Sequence, residues 1–331
     1  MGTRLAGVAV YLPERRLTNT QVEARIRPYV PPPGLLQRLT GIRVRHVMAD
    51  HEQASDLAIA AARKLLAESG TAAADVDLLL FASASQDMVE PATAHIVAAG
   101  LELTCPVMDV KNACNSVLNG IEVADALIAA GRYRTVLVVS GEAPSRAVRW
   151  DIGSLGEYLR AFPGYTLGDA GAALLLTAGA PPGAGVLGTA FTADSRHWDV
   201  GTLPAGGSRH PRDPQRSYFE MDGARLKDAF LGLGCGVLDQ TLARLGLRWA
   251  DFAVVAVHQV SLPYLEVFTE RAGVPADKLV VTLVEHGNVA SASLPLQLAT
   301  ALELGRCGPG DLVALVGLAG GVSLGIVVVR L

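Results

Sequence analysis

The chain has 331 residues, of which 50% are hydrophobic and 18% charged, so it can bury a large core and is not intrinsically disordered over most of its length. Its 28 Lys and Arg against 32 Asp and Glu give a net charge of −4 without a run of like charges, which excludes nucleic acids and anionic membranes as partners. The 35 Gly and 18 Pro follow no fixed period, which excludes collagen and low-complexity classes and is typical of a compact α/β protein.

The amino terminus is predicted to form the first β-strand of a cytoplasmic protein. The apolar run within MGTRLAGVAVYLPERR is too short for a signal peptide, and charged residues follow it directly. The longest uncharged stretch, from Ala170 to Ala193, is interrupted by Pro181-Pro182 and by several glycines. It is therefore predicted to be a strand, a turn and a second strand, and no membrane span is expected.

Short apolar runs alternate with helical patterns along the chain, and they are typical of buried parallel strands. These runs are Leu78–Ala82, Val136–Ser140, Ala253–Val257 and Leu312–Val316.

The order of the elements occurs twice. A helix around Ser55–Ser69 leads through Asp75-Val76-Asp77 into LLLFASAS, and a helix around Gly223–Leu245 leads through Trp249-Ala250-Asp251 into FAVVAVHQVS. Both halves close on a glycine-rich turn into an apolar strand, GDAGAALLL in the first and GLAGGVSLGIVVV in the second. Repeated order of this kind indicates a duplicated unit, although generic α/β units can resemble one another by chance.

A second pair of helices strengthens this interpretation. A helix beginning near Cys114 reaches Gly131-Arg132, and one beginning near Asn288 reaches Gly305-Arg306 over the same interval. We predict two βαβαβ halves, residues 1–180 with Cys114 and residues 181–331 with a candidate His and Asn, and a site between them.

Cys114 is the candidate nucleophile. It follows the predicted strand Val107–Val110 and the polar link Lys111-Asn112-Ala113, and it opens a helix with regularly spaced apolar residues. A helix amino terminus favours the thiolate and lowers the pKa of a cysteine. The alternative is a small buried apolar side chain, and position alone leaves both open.

The remaining cysteines and histidines show no pattern of a site. Cysteines without C-x-x-C spacing in a chain of this length predict neither a disulfide framework nor zinc, and no metal site is expected. The cysteines with no comparable setting are Cys105, Cys235 and Cys307, and the histidines predicted to be surface or loop residues are His46, His51, His95, His197 and His210. The GLGCG sequence at Gly232–Gly236 lacks a preceding strand and the dinucleotide spacing, so a nicotinamide cofactor is excluded.

His258 and Asn288 are the other candidates for chemistry. His258 follows the strand AVVAV, and Asn288 begins the helix that corresponds to the one after Cys114. Active sites of α/β proteins form at the carboxyl ends of strands. A cap or a satisfied hydrogen bond is the alternative for a lone His or Asn, and the hypothesis requires that all three residues converge.

An ordered set of motifs over the whole chain resembles β-ketoacyl-acyl-carrier-protein synthase III and its relatives in the thiolase superfamily. The motifs are TGIRVRH at Thr40–His46, DVKNACNSVLNG at Asp109–Gly120, GDAGAA at Gly168–Ala173, YFEMDG at Tyr218–Gly223, HQVS at His258–Ser261, HGNVASASLPL at His286–Leu296 and GLAGGVSLG at Gly317–Gly325.

The resemblance implies a five-layered αβαβα thiolase-like fold and a homodimer, with acyl-CoA or acyl-carrier-protein thioesters as substrates and no permanently bound cofactor. It implies that Cys114 takes up the acyl group, and that His258 and Asn288 hydrogen-bond the second thioester while it loses CO2. The backbone N–H groups of Cys114 and Gly320 would then form the oxyanion hole. The residues that bind CoA are not identified.

The entrance departs from the family pattern. Pro263 stands where the family has a carrier-docking arginine, and Ala224 where it has an asparagine that contacts pantetheine. Thr20–Pro33 lacks the tryptophan that stacks on adenine, Trp150–Gly168 is longer, and Ser195–Arg216 is rich in Gly, Pro, His and Arg. These changes favour a specialised pathway, such as polyketide or specialised lipid biosynthesis, over housekeeping fatty-acid synthesis.

Two other functions stay open at this point. The family includes similar enzymes that transfer an acyl group to a hydroxyl or amine without forming a carbon–carbon bond, with the His and Asn as general base and orienter. The presence of Asn288 favours condensation. A catalytically silent subunit of the same fold is the third hypothesis, and the three intact candidate residues argue against it.

Overall fold

The computed structural model describes residues 2–331. Its strands are Gly2–Tyr11 (β1), Arg16–Thr18 (β2), Arg27–Pro28 (β3), Val44–His46 (β4), Leu78–Ala82 (β5), Val107–Val110 (β6), Thr135–Glu142 (β7), Asp151–Ile152 (β8), Ala170–Ala180 (β9), Gly185–Ala193 (β10), Gly201–Thr202 (β11), Glu220–Met221 (β12), Val254–Val257 (β13), Leu312–Ala319 (β14) and Ser323–Arg330 (β15). Its α-helices are Asn19–Glu23 (α1), Leu35–Thr40 (α2), Ala54–Ser69 (α3), Thr93–Gly100 (α4), Ser116–Ala129 (α5), Leu155–Ala161 (α6), Gly223–Leu233 (α7), Gly236–Leu245 (α8), Leu262–Ala272 (α9), Leu283–His286 (α10) and Ser293–Glu303 (α11).

Two large sheets organise these elements. The first has five strands in the order β1-β9-β7-β5-β6, and the second has four in the order β10-β15-β14-β13. The pairs β5–β6, β5–β7 and β13–β14 are parallel, as the short apolar runs predict. All strands of the first sheet lie before residue 181 and all strands of the second lie after it. The division into two duplicated domains itself stays a prediction.

Helices cover both outer faces of the sheets and fill the space between them. Helices α3 and α4 pack on the first sheet, and α8 and α9 pack on the second. Between the sheets, α5 contacts β5, β7 and β15, whereas α11 contacts β1, β9, β13 and β14. Apolar side chains of α5, α11 and the two facing sheet surfaces form one buried cluster. The arrangement is therefore α, β, α, β, α in five layers.

The chain makes a similar turn before each of the two central helices, α5 and α11. Ala113 has a φ of 45° and Gly287 a φ of 72°, and these residues directly precede Cys114 and Asn288. The interval from Ala113 to the end of α5 at Ala129 equals that from Gly287 to the end of α11 at Glu303. The chain thus turns sharply at the same point before each candidate residue.

Most predicted elements are confirmed, including the strand, turn and strand over Ala170–Ala193. Two helix predictions are wrong. The helix expected over Gly223–Leu245 is two helices, because Gly234, with a φ of 72°, ends α7, and Cys235 then caps α8 instead of lying inside a helix. The helix expected to begin near Asn288 begins at Ser293, after a short 3-10 turn. No helix among residues 2–331 is both long and apolar enough to cross a membrane.

Candidate active site

A tight turn holds Cys114 between β6 and α5. Ala113 adopts its positive φ immediately before Cys114, and the Ser116 hydroxyl donates to the Ala113 carbonyl oxygen at 2.7 Å. The same hydroxyl oxygen accepts the Asn112 N–H at 2.8 Å. Because these bonds close the turn on itself, Cys114 lies at the carboxyl end of β6 with its backbone fixed.

The second half of the chain packs directly against this turn. The Asn115 side-chain amide donates to the Ser323 hydroxyl at 2.9 Å. A Cβ added to Gly317 would lie 2.0 Å from Asn115 Oδ1, and one added to Gly320 would lie 4.0 Å from the Ala113 Cβ. A side chain at Gly317 would displace the Asn115 side chain, so glycine allows the two halves to pack closely there. The backbone around Gly320 therefore runs close to the residue before Cys114.

Burial controls the charge state of Cys114. Cys114 is partly accessible, yet it lies deep in the protein, where burial and then the negative charge of Glu142 raise the pKa of its thiol to about 12. The expected lowering of this pKa is therefore wrong for the unliganded protein. Helix α5 begins two residues later, at Ser116, so Cys114 precedes the first turn of the helix whose dipole was expected to favour the thiolate.

His258 lies at the end of β13 with an unpaired ring. Its backbone N–H donates to the Val316 carbonyl oxygen at 2.9 Å, and the residue is 3% exposed. Neither Nδ1 nor Nε2 has a hydrogen-bond partner among residues 2–331. Burial lowers the pKa of the imidazole to about 4, so it is neutral at pH 7. A neutral ring offers one N–H donor and one lone pair to a ligand.

Gln259, the next residue, fixes the loop that leads to Asn288. Its Nε2 donates to the Val280 carbonyl oxygen at 2.7 Å, and its Oε1 accepts the N–H groups of Thr282 and Leu283, both at 3.1 Å. The amide thereby ties the end of β13 to the start of α10. The HQ pair thus combines an unpaired ring with a neighbour whose amide is hydrogen-bonded through both its nitrogen and its oxygen.

The backbone of Asn288 is held from both sides. Its N–H donates to the Thr166 carbonyl oxygen at 2.8 Å, and its own carbonyl oxygen accepts the Gly168 N–H at 2.9 Å. Its side-chain Oδ1 accepts the Ala290 N–H at 3.0 Å, and its Nδ2 makes no hydrogen bond within the described part of the chain. The amide orientation therefore leaves an N–H2 group free to donate.

Glu142 is a buried carboxylate that the sequence-based argument did not single out. It is 0% exposed at the end of β7 and accepts the Ala84 N–H at 2.8 Å and the Ser85 hydroxyl at 3.0 Å. The hydroxyl of Ser291 also donates to it, and the Ser291 and Ser140 hydroxyl oxygens are 2.8 Å apart. This network joins the first sheet to the loop after Asn288. Its only sequence signal is a carboxylate at the end of an apolar strand.

His46, predicted to be a surface or loop residue, instead lies half-buried in β4, where its ring stacks on that of His286 beside the turn before Asn288. Their ring centroids are 5.2 Å apart with an interplanar angle of 21°. Burial lowers the pKa of both imidazoles, and that of His286 reaches about 4. The stack lies next to Gly287, where an added Cβ would be 2.8 Å from the Thr166 carbonyl oxygen. Stacking and close backbone packing together set the course of the chain into Asn288.

The lowered pKa values of His258 and His286 predict that the folded protein loses stability as the pH falls. His258 protonates at about pH 4 in the folded protein but at about 6.5 when unfolded, so the stability it contributes above pH 6.5 is lost as the pH falls toward 4. The shift of His286 acts in the same direction. Asp169, whose pKa burial raises to about 6, acts oppositely, because the folded protein takes up its proton first. For His258 alone we expect a loss of about 2 kcal/mol between pH 7 and pH 5.

Urea unfolding at both pH values measures this effect. His258→Gln should lose about 2 kcal/mol less than wild type between pH 7 and pH 5, whereas the exposed His95→Gln should behave as wild type. Equal losses in all three proteins would contradict the assignment of the effect to His258.

The structure brings together the segments that carry the predicted site residues. Asn115, next to Cys114, meets Gly317, and the residue before Gly317 accepts the His258 N–H. Glu142 bonds the loop after Asn288 and lies close enough to Cys114 to shift its pKa. All four cysteines are free thiols. Among residues 2–331, no group of three or more His, Cys, Asp or Glu is arranged to hold a metal ion.

Comparison with known proteins identifies the family. Models of 3-oxoacyl-[acyl-carrier-protein (ACP)] synthase III match residues 108–195 and, for its C-terminal part, residues 242–331. The chain is 34% identical to the beta-ketoacyl-[acyl-carrier-protein] synthase III of Rhodospirillum rubrum over 99% of this chain and 98% of that protein. It is 33% identical to the protein of the same name from Acidiphilium cryptum, over 99% of each.

Solved structures show the same fold. The 3-oxoacyl-(acyl carrier protein) synthase III of Pseudomonas aeruginosa PAO1 superimposes with a TM-score of 0.87 at 26% identity, covering 100% of this chain and 98% of that one. A histidine-to-alanine variant of OleA from Xanthomonas campestris superimposes with a TM-score of 0.90 at 26% identity, covering 100% and 99%. The predicted thiolase-like fold is confirmed. The chain belongs to the 3-oxoacyl-[acyl-carrier-protein] synthase III family of condensing acyltransferases.

Proposed function

We propose that Cys114, His258 and Asn288 carry out a decarboxylative Claisen condensation between an enzyme-bound acyl group and a malonyl-type thioester. The observation that carries this assignment is the buried His258 ring, whose two nitrogens have no partner among residues 2–331. An unpaired buried polar group is costly unless a ligand completes it. The Nδ2 of Asn288 is a second free donor, because the side-chain Oδ1 takes the bond from the Ala290 N–H.

The first step loads the enzyme. The Cys114 sulfur attacks the carbonyl carbon of an acyl thioester, and the bond from that carbon to the donor sulfur then breaks. The thiol is neutral before attack, so its proton passes to the neutral His258 ring and from there to the departing thiolate. The backbone N–H groups of Cys114 and Gly320 donate to the oxygen of the tetrahedral intermediate.

The second step forms the carbon–carbon bond. Loss of CO2 from the malonyl-type thioester leaves its electron pair as an enolate, whose charge develops on the thioester oxygen. The His258 N–H and the Asn288 Nδ2 donate to that oxygen as the charge appears. The enolate carbon then attacks the acyl carbon on Cys114, and the Cys114 sulfur leaves as the thiolate and takes up a proton from solvent.

Acyl-CoA or acyl-carrier-protein thioesters are the substrates of this reaction, and it uses no permanently bound cofactor. Pro263 lies in the first turn of α9, and the stretch after Trp150 forms β8 and α6 around a buried aromatic cluster. These differences from the family pattern favour an enzyme that forms the starter unit of a polyketide or of a specialised lipid. We also propose that the protein is a homodimer and acts in the cytoplasm.

Intact-mass spectrometry tests the proposal. Wild type and Cys114→Ala are exposed to a panel of acyl-CoA and acyl-carrier-protein thioesters and then to malonyl-carrier protein. We expect wild type to gain the mass of one acyl group and to release a chain-extended product with CO2, and Cys114→Ala to gain nothing. Cys235→Ala, a change at a cysteine outside the site, should load as wild type does.

The other outcomes separate the remaining hypotheses. Discharge of the loaded acyl group only by an alcohol or amine, without CO2, would make the protein an acyltransferase that forms no carbon–carbon bond. Failure of every CoA and carrier-bound donor to load Cys114 would favour a silent subunit and overturn the proposal.

A further inference from the structure

A second cavity lies outside the proposed catalytic residues. It has a volume of about 140 Å³ and opens between the paired strands β2 and β4 and the segments 145–150 and 164–167. None of Cys114, His258 and Asn288 lines it. Four arginines from separate parts of the chain do: Arg15, Arg25, Arg45 and Arg146. Asp50 is the one carboxylate on its wall.

Most of these arginines make no salt bridge. Arg15 pairs with Asp50 at 3.6 Å, but the Asp50 side chain is 94% exposed, so the pair is weak. Arg25 lies over the Trp150 ring at 5.5 Å from its centroid. Arg146 donates to backbone carbonyl oxygens, including that of Asp50 at 2.9 Å. Within residues 2–331, no acidic side chain lies within 4.0 Å of the Arg25, Arg45 or Arg146 nitrogens.

Arg45 carries the strongest indication of a ligand. It is 2% exposed, and its Nη2 donates to Asn19 Oδ1. Its Nε and Nη1 are buried and have no hydrogen-bond partner among the described residues. The nearby Glu23 carboxylate instead accepts the N–H groups of Gly34 and Leu36, at 2.9 and 3.0 Å. A buried guanidinium with unused donors is costly, and an anion in the cavity would remove that cost.

We propose that this cavity binds one compact oxyanion of the phosphate class, with Arg45 as its buried partner and Arg25 and Arg146 at its mouth. Guanidinium groups match phosphate oxygens in a bidentate geometry. A cavity of about 140 Å³ has room for a phosphate. The cavity shares a wall with the catalytic region, because Leu167 lines it and pairs through its backbone with Asn288.

Isothermal titration calorimetry with inorganic phosphate tests the site on the full chain, at an ionic strength fixed with sodium chloride. We expect saturable binding of one phosphate per chain and its loss in Arg45→Met. The exposed Arg25→Gln should weaken binding about tenfold, because one charge-assisted hydrogen bond is removed. Arg63→Gln, a change on the outer surface of α3, should bind as wild type does.

Arg25→Gln keeps the test decisive if Arg45→Met does not fold, and circular dichroism establishes folding for each variant. Absence of saturable heat with both phosphate and pyrophosphate would overturn the proposal, as would equal affinities of Arg25→Gln and Arg63→Gln. The measurement does not involve catalysis, so Cys114→Ala should bind phosphate as wild type does.

A displacement titration distinguishes a free anion from the phosphate of a larger ligand. CoA and 3′-dephospho-CoA are each added to the phosphate-saturated protein. Displacement by CoA alone supports the oxyanion site and assigns it to the 3′-phosphate. Retention of phosphate in the presence of both compounds supports a site for a free anion.

Discussion

Asn288→Asp is expected to leave acyl loading of Cys114 intact and to slow CO2 release from a malonyl thioester at least about 100-fold, the usual cost of losing one oxyanion donor. Aspartate has the shape of asparagine and keeps an oxygen that can accept the Ala290 N–H. It loses the Nδ2 donor, and it adds a negative charge where the enolate charge must develop. The change therefore removes a contact that matters only after the enzyme has been loaded.

Two readouts from one sample separate these effects. Intact mass reports the acyl group on Cys114, and trapped carbon dioxide from labelled malonyl thioester reports decarboxylation. Backbone bonds to Thr166 and Gly168 hold residue 288 whatever its side chain, so the fold should be kept. Undiminished CO2 release, or loading lost together with decarboxylation in a folded protein, would contradict the role proposed for Asn288.

Much of the fold could be predicted because it is encoded over short distances along the chain. The runs Leu78–Ala82 and Val107–Val110 match strands β5 and β6 residue for residue. At β5, five consecutive apolar residues between polar turns have few other buried conformations. Cys114 and His258 could be chosen for a related reason. His258 follows β13 directly and Cys114 follows β6 after three residues, and active sites of α/β folds form at the carboxyl ends of strands.

The features that were missed depend on contacts between distant parts of the chain. The bond between Ser291 and Glu142 joins positions 149 residues apart, and no local pattern announces it. The pKa of Cys114 is set by burial and by Glu142, whereas the sequence reveals only the helix that follows. The unpaired nitrogens of Arg45 are invisible to sequence for the same reason, since a lone arginine in a polar strand is usually solvated.

Two glycines beneath α3 form a long-range constraint of this kind, and mutation can test it. Gly141 on β7 and Gly171 on β9 are paired in register at the point where α3 crosses the first sheet. A Cβ on Gly141 would lie 1.8 Å from the Ala54 carbonyl oxygen, and one on Gly171 would lie 1.9 Å from that of Leu57. The helix backbone rests on the sheet with no side chain between them.

Gly171→Ala is therefore expected to reduce the free energy of unfolding by at least about 3 kcal/mol or to prevent folding, because the added methyl meets backbone that no rotamer change can relieve. Gly232→Ala is the matched control. It lies inside α7 with no heavy atom within 4 Å of the added Cβ, and it should raise stability by about 0.5–1 kcal/mol, since alanine loses less backbone entropy in a helix. Urea unfolding followed by circular dichroism measures both variants. A Gly171→Ala protein as stable as wild type would show that α3 can lift from the sheet without loss, and that the glycine pair does not set the distance between these two layers.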